Sequence, residues 1–355
     1  MSRSLRAALL LSAGLAGLAG SASAAAPLQS LKVPPGFHVS IFSDQVPNAR
    51  EMTLGTRNTV FVGSMREGKV YALTGMDKNG RAQHVYVIAK DLEMPVGVAF
   101  HDGALYVSAV SRILKYPDIE AHLADPPKPV VVTDKLPTKT HHGWKFIAFG
   151  PDGKLYVPIG APCNICNPGP GFAKIIRMNA DGSDWQTVAT GIRNSVGFDW
   201  QPGTHAFWFT NNGRDLLGDD IPDDTLNRVD KLGENFGFPY CHAGNVLDPE
   251  FGKGHSCSEF AQPALRLGAP RLAGHAFLRG SDVPGGVPRR DLHRRTRIME
   301  PFKQGRLPCG GGARGRGWQG HRIAAVPHRV PGWPENPGTP RRRAADARWQ
   351  PAGFR

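Results

Sequence analysis

One unit recurs along this chain and limits what it can fold into more than any other feature. It reads Val98-Ala-Phe100-His-Asp-Gly-Ala-Leu-Tyr-Val107, then Ile147-Ala-Phe149-Gly-Pro-Asp-Gly-Lys-Leu-Tyr-Val157, then Phe198-Asp-Trp200-Gln-Pro-Gly-Thr-His-Ala-Phe-Trp-Phe209. A weaker copy is Met52-Thr-Leu54 followed by Thr59-Val-Phe-Val62. The steps from Leu54 to Phe100, Phe149 and Trp200 are 46, 49 and 51 residues. A strand, a tight turn and a second strand at a period of about 50 residues is what one four-stranded propeller blade requires. An irregular sandwich would not keep that spacing, and no sustained 3.6-residue apolar period runs through residues 50–240. The fold class expected is therefore all-β, a β-propeller. Residues 25–269 number 245, close to five blades at this period.

Charge divides the chain. Lys and Arg number 43 against 30 Asp and Glu, a formal +13 that would suit a nucleic-acid partner. Residues 1–269 carry 25 of each sign, however, so the excess lies in residues 270–355, with 18 basic and 5 acidic side chains. That stretch holds 17 Arg, 14 Gly and 11 Pro and lacks apolar periodicity, so it is expected to be a disordered tail. A nucleic-acid partner is not expected for the neutral portion.

The first residues read as an export signal. Arg3 and Arg6 precede the apolar run Ala7–Ala19, and Ala22-Ser-Ala24 supplies a small-residue cleavage site. Residues 1–24 are expected to be removed, leaving a periplasmic or secreted protein with no transmembrane anchor. Four cysteines precede residue 270, an even number that suits an oxidising compartment. Structural bridges Cys163–Cys166 and Cys241–Cys257 are the favoured reading. A redox or metal role for Cys163-Asn-Ile-Cys166 is the alternative, without the following His or second CxxC that such sites use.

Three segments between the strands could carry chemistry, since propeller sites are built on connecting loops. Thr140-His141-His142-Gly143-Trp144 offers a general base, because imidazole titrates near neutrality. Gly191-Ile-Arg193-Asn194 offers a guanidinium able to clamp an anion. The run Asn211–Asn227 contains five aspartates in ten residues with Gly and Asn, hard oxygens of the kind calcium prefers, without the spacing of an EF-hand.

Taken in order, HHGWKFIAFGPDGKLYVPIG, GIRNSVGFDW, TNNGRD…DDTLNRV and GENFGFPYC resemble the soluble quinoprotein glucose/sorbosone dehydrogenases, most closely the sorbosone dehydrogenase-like branch. The resemblance covers roughly residues 30–269. It implies a six-bladed propeller, here incomplete with about four to five native blades, binding pyrroloquinoline quinone (PQQ) and Ca2+ and oxidising a sugar or sugar aldehyde. The family's catalytic base stands eight residues before the Gly of the G-P-D-G turn, which is His142 when counted back from Gly150. Its quinone-holding Arg-Asn pair corresponds to Arg193 and Asn194, and an acidic residue close to the site to Asp224. The calcium-binding carbonyls map onto Gly213 and Arg214. The implied chemistry is removal of the substrate hydroxyl proton by His142 with hydride passing to the quinone, and then electron transfer to an exported acceptor, a cytochrome or quinone. A calcium-dependent propeller lactonase and a non-catalytic propeller binding module are the alternatives.

After residue 269 the resemblance stops. A stretch of the type FPAEYRGD…HGSWNR is expected there, and codons chosen for residues 283–302, read one base later, give FPAEYRGEIFIAEHGSWNR. The Arg/Gly/Pro-rich stretch is accordingly expected to be out-of-frame sequence standing in place of the last blade or more, in which case this form of the chain would be inactive.

Overall fold

The computed structural model describes residues 39–268, a succession of short strands in which turn chemistry sets each hairpin. The expected leader, residues 1–24, and the anomalous stretch, residues 270–355, lie outside the described residues.

Strands β1 (Ala49–Leu54), β2 (Val60–Ser64), β3 (Val70–Thr74) and β4 (His84–Ala89) form the first antiparallel sheet. The second comprises β5 (Val98–His101), β6 (Ala104–Ser108), β7 (Ile113–Tyr116) and β8 (Val130–Thr133). Strands β9 (Ala148–Phe149), β10 (Leu155–Ile159), β11 (Lys174–Met178) and β12 (Gln186–Thr190) make the third, and β13 (Phe198–Trp200), β14 (Phe207–Asn211) and β15 (Thr225–Val229) begin the fourth. The chain then returns to the third sheet, where β16 (Glu234–Asn235) pairs in parallel with β12. A small hairpin follows, β17 (Cys241–His242) with β18 (Val246–Leu247), before β19 (Leu265–Arg266) completes the fourth sheet beside β15.

Each copy of the repeated unit is thus the first hairpin of one blade. The tightest is the two-residue Asp102-Gly103 turn between β5 and β6, where φ is 47° and 76°. Both central residues at positive φ match the right-handed twist of the strands, which is why Asp-Gly serves there. First strands of successive sheets lie side by side, β1 by β5 and β5 by β9, and form the hub. Close approach at the hub selects glycine: a Cβ on Gly97 would stand 2.1 Å from the Lys145 carbonyl oxygen. The Ser108 hydroxyl bridges this junction, accepting from the Gly97 amide at 3.0 Å and donating to the Lys145 carbonyl at 2.8 Å.

Sheets packed face to face explain why the middle strands read as unbroken apolar runs. On β6, Leu105 and Val107 pack toward the first sheet with Phe61, Val70 and Val98, while Ala104 and Tyr106 pack toward the third with Leu155 and Val157. On β10, Leu155 and Val157 face the second sheet and Tyr156 faces Phe198 and Phe207 of the fourth. Alternate side chains therefore enter different cores, and both are buried. Removing a ring such as Phe61, fully buried, would cost roughly 3–5 kcal/mol. Among the described residues no helix is long and apolar enough to cross a membrane.

Candidate functional site

The start of β9, the ends of β10 and β12, the start of β13 and the end of β14 all open at one end of the third and fourth sheets. The loops leaving those points bring His142, Ala161, Asn164, Arg193, Asn194, Asn212 and Asp215 together.

His142 occupies a turn with φ 50°, a left-handed conformation that a non-glycine residue adopts at some cost. Its Nδ1 donates to the Ala161 carbonyl at 2.9 Å, because a carbonyl can only accept, and this leaves the lone pair on Nε2. The Ala161 amide donates in turn to the Arg193 carbonyl at 2.8 Å. Burial, helped by the Arg193 guanidinium and by His141, pushes the His142 imidazole down to about 3, so the ring is neutral at physiological pH. His141, its ring 4.2 Å from that of His142, is also lowered, by burial and then by Arg193. Trp144 stands edge-on to His142 at 6.1 Å. Gly160 gives His142 its space: a Cβ there would meet the His142 Cβ at 2.6 Å.

Arg193 is 4% exposed. Nε donates to the Asn164 carbonyl and Nη2 to Asn164 Oδ1, both at 2.8 Å, and Nη2 also meets Asp215 Oδ2 at 3.1 Å. Asn194 is tied to the next loop through Asn212, whose Oδ1 accepts from Asn194 Nδ2 at 3.2 Å and whose amide donates to the Asn194 carbonyl at 2.9 Å. Asp224, buried, accepts from Asn212 Nδ2 at 3.0 Å and from the Gly213 amide at 2.9 Å. Its carboxylate therefore holds the Asn212–Gly213 turn in place.

Arg214 turns its guanidinium away from that turn onto Asp248 and Glu250. Asp248 is buried at the foot of the β17–β18 hairpin and also accepts from His242 Nε2 at 2.8 Å and from the amides of Glu250 and Phe251. Burial opposes ionisation of Asp248, but these hydrogen bonds prevail and hold its carboxyl at about 2. Burial lowers the His242 imidazole against the pull of Asp248. Disulfides join Cys163 to Cys166 and Cys241 to Cys257, so neither pair is a free dithiol.

Several of these residues carry no sequence signal of their own. Asn164 sits inside the Cys163–Cys166 motif, Asp215 within the acidic run, and the His242–Asp248 pair depends on a hairpin that no motif announces. The acidic run does not gather into a cage: Asp219 and Asp220 are exposed, and among the described residues no three His, Cys, Asp or Glu side chains converge as metal ligands.

An anionic quinone fits what is present. A buried guanidinium whose charge adds to the depression of both neighbouring imidazoles creates a positive field, and its carboxylate partner Asp215 is 41% exposed. Beside the Gly213 and Arg214 carbonyls expected to meet a hard cation, the charge of the Arg214 side chain is neutralised by Asp248 and Glu250.

The fold has relatives among solved structures. The iodide structure of the Trichoderma reesei family AA12 carbohydrate-active enzyme superposes with a TM-score of 0.59 at 20% identity, covering 66% of this chain and 71% of that one. The holo form of the pyranose dehydrogenase PQQ domain from Coprinopsis cinerea gives 0.58 at 17%, covering 70% and 72%. The PQQ-bound aldose sugar dehydrogenase from Streptomyces coelicolor gives 0.51 at 19%, covering 67% and 75%. These likenesses establish the propeller fold. In sequence, an uncharacterised protein of Borreliella burgdorferi is 31% identical over 268 residues, 72% of this chain and 69% of that protein. The profile of the TrAA12-like family matches residues 31–255, the span that holds the four sheets and every loop of the site except the last strand, and the chain belongs to that family.

Proposed function

We propose that the chain is a PQQ- and calcium-dependent dehydrogenase that oxidises an aldose or sugar aldehyde, sorbosone among the candidates. The observation that carries this is a neutral His142 of fixed tautomer beside the buried Arg193. Two structural neighbours of the same fold, a holo PQQ domain and a PQQ-bound dehydrogenase, support the choice of cofactor.

When bound, the quinone supplies a two-electron acceptor for the hydride of the substrate carbon. Arg193 and Asn194 would hold its carboxylates, and the Gly213 and Arg214 carbonyls would hold the calcium. His142 Nε2 takes the proton of the sugar hydroxyl, and its Nδ1 bond to Ala161 keeps the ring in place as it charges. Trp144 offers an apolar wall against which a pyranose ring can lie. The two disulfides fit an exported protein that passes its electrons to an exported cytochrome or quinone.

The test is direct. The full chain is supplied with PQQ and calcium and assayed for dye reduction with aldoses and sorbosone, beside lactone hydrolysis without quinone. Quinone-dependent dye reduction supports the proposal; hydrolysis alone, or neither activity in a folded chain that takes up no quinone, overturns it.

A further inference from the structure

The Cys163–Cys166 disulfide encloses two residues, and one of them, Asn164, directs four hydrogen bonds at the site. Its carbonyl and its Oδ1 accept from Arg193 Nε and Nη2, each at 2.8 Å, so a single residue takes one whole edge of the guanidinium. The same Oδ1 accepts from the Asp215 amide at 2.7 Å, and Nδ2 donates to the Asp215 carbonyl at 3.0 Å. One side chain thus joins three loops: its own after β10, that of Arg193 after β12, and that of Asp215 after β14.

An arginine on a flexible stem recognises a carboxylate well only when its planar fork is held in orientation. A neutral amide can hold the fork without cancelling its charge, which a carboxylate on the same edge would do. The short disulfide loop restricts the Asn164 backbone, so that carbonyl and side-chain oxygen are presented together. We infer that Asn164 is a positioning residue that fixes Arg193 for the carboxylates of an anionic quinone. This rests on the function proposed above.

Two readouts on the full chain separate the inference from that function. The first is amide hydrogen exchange at Asp215, which needs no quinone. Asn164→Ala should speed it by about tenfold or more while β10 and β14 exchange as before. The second is uptake of PQQ by the quinone-free protein, followed by tryptophan fluorescence. Asn164→Ala should raise the dissociation constant by about tenfold or more, since a charge-assisted contact loses its orientation. Asn164→Asp keeps both acceptors but puts a cancelling charge on the guanidinium edge, so it should weaken uptake at least as much as Asn164→Ala, and recovery of affinity by Asp would overturn the inference. Faster exchange with quinone affinity unchanged would make Asn164 a loop tether only and overturn the inference, as would unchanged exchange. A wild-type chain that takes up no quinone overturns the proposed function itself, whatever the exchange shows.

Discussion

His142 points Nδ1 at the carbonyl of Ala161, 2.9 Å away, and that single contact decides which nitrogen can act. The proton is committed to Nδ1, so Nε2 is the base. Replacement by Gln keeps an amide of similar reach but no basic nitrogen. His142→Gln should lower turnover by roughly 10²–10⁴-fold while leaving quinone affinity intact. Steady-state kinetics with quinone titration checks this, and undiminished turnover would remove His142 from the mechanism.

Gly160 tests the geometry without touching a polar atom. A methyl at that position stands 2.6 Å from the His142 Cβ and 3.0 Å from its carbonyl oxygen, so the turn must move. Gly160→Ala should cost roughly 1–3 kcal/mol by overpacking and on the order of 10² in turnover through displacement of the base. Thermal unfolding and turnover measured on the same sample compare the two effects.

Arg193 acts on the imidazole beside it. Burial is the larger cause of the low His142 pKa of about 3, and the guanidinium adds to it. Arg193→Met should therefore raise that pKa while weakening quinone uptake by about tenfold or more. Proton NMR of the histidine ring through an acid titration reads the first effect. A pKa that does not move would place the guanidinium charge too far away to matter.

The hairpins and the chemistry differ in how much of them can be read from sequence. Asp102-Gly103 or Pro151-Asp-Gly153 determines a turn from its own residues, so the first hairpin of every blade is legible and its 50-residue spacing gives the propeller. His142, Arg193 and Asn194 stand out through the family resemblance of the motifs that hold them. Asn164 does not, because its role comes from Arg193, 29 residues on, and Asp215, 51 residues on. The pairing of β12 with β16 and of β15 with β19 is equally hidden, since two-residue strands carry no alternating pattern. Asp224 shows the limit from the other side: its place near the site is legible, but its service to the Asn212–Gly213 turn emerges only from the packing.

Acid should weaken this fold through groups whose folded pKa values are depressed, His142 and Asp248 by the widest margins. His142 resists protonation, so stability should begin to fall as pH drops below the ordinary imidazole value of 6.5 and continue toward 3. Asp248 contributes about 2 kcal/mol above the ordinary carboxyl value of 3.8, lost as pH falls through about 2. Asp248→Asn leaves the buried Arg214 with the exposed Glu250 in place of its buried counter-charge and should cost roughly 3–5 kcal/mol at neutral pH. Chemical denaturation from pH 7 to pH 3 in both proteins checks the first slope, which the variant should retain.

The detour of the chain between β15 and β19 has a consequence for the order in which the protein is made. The first and second sheets are each complete once one continuous stretch of chain has emerged from the ribosome. The third must wait for Asn235 to gain its outer strand, and the fourth for Arg266, after β16 has already been laid on its neighbour. During synthesis, then, the blades that carry Arg193 and Asp215 are the last of the four described sheets to be completed, the third before the fourth, and the loops between them acquire their final shape only when almost the whole described chain is available.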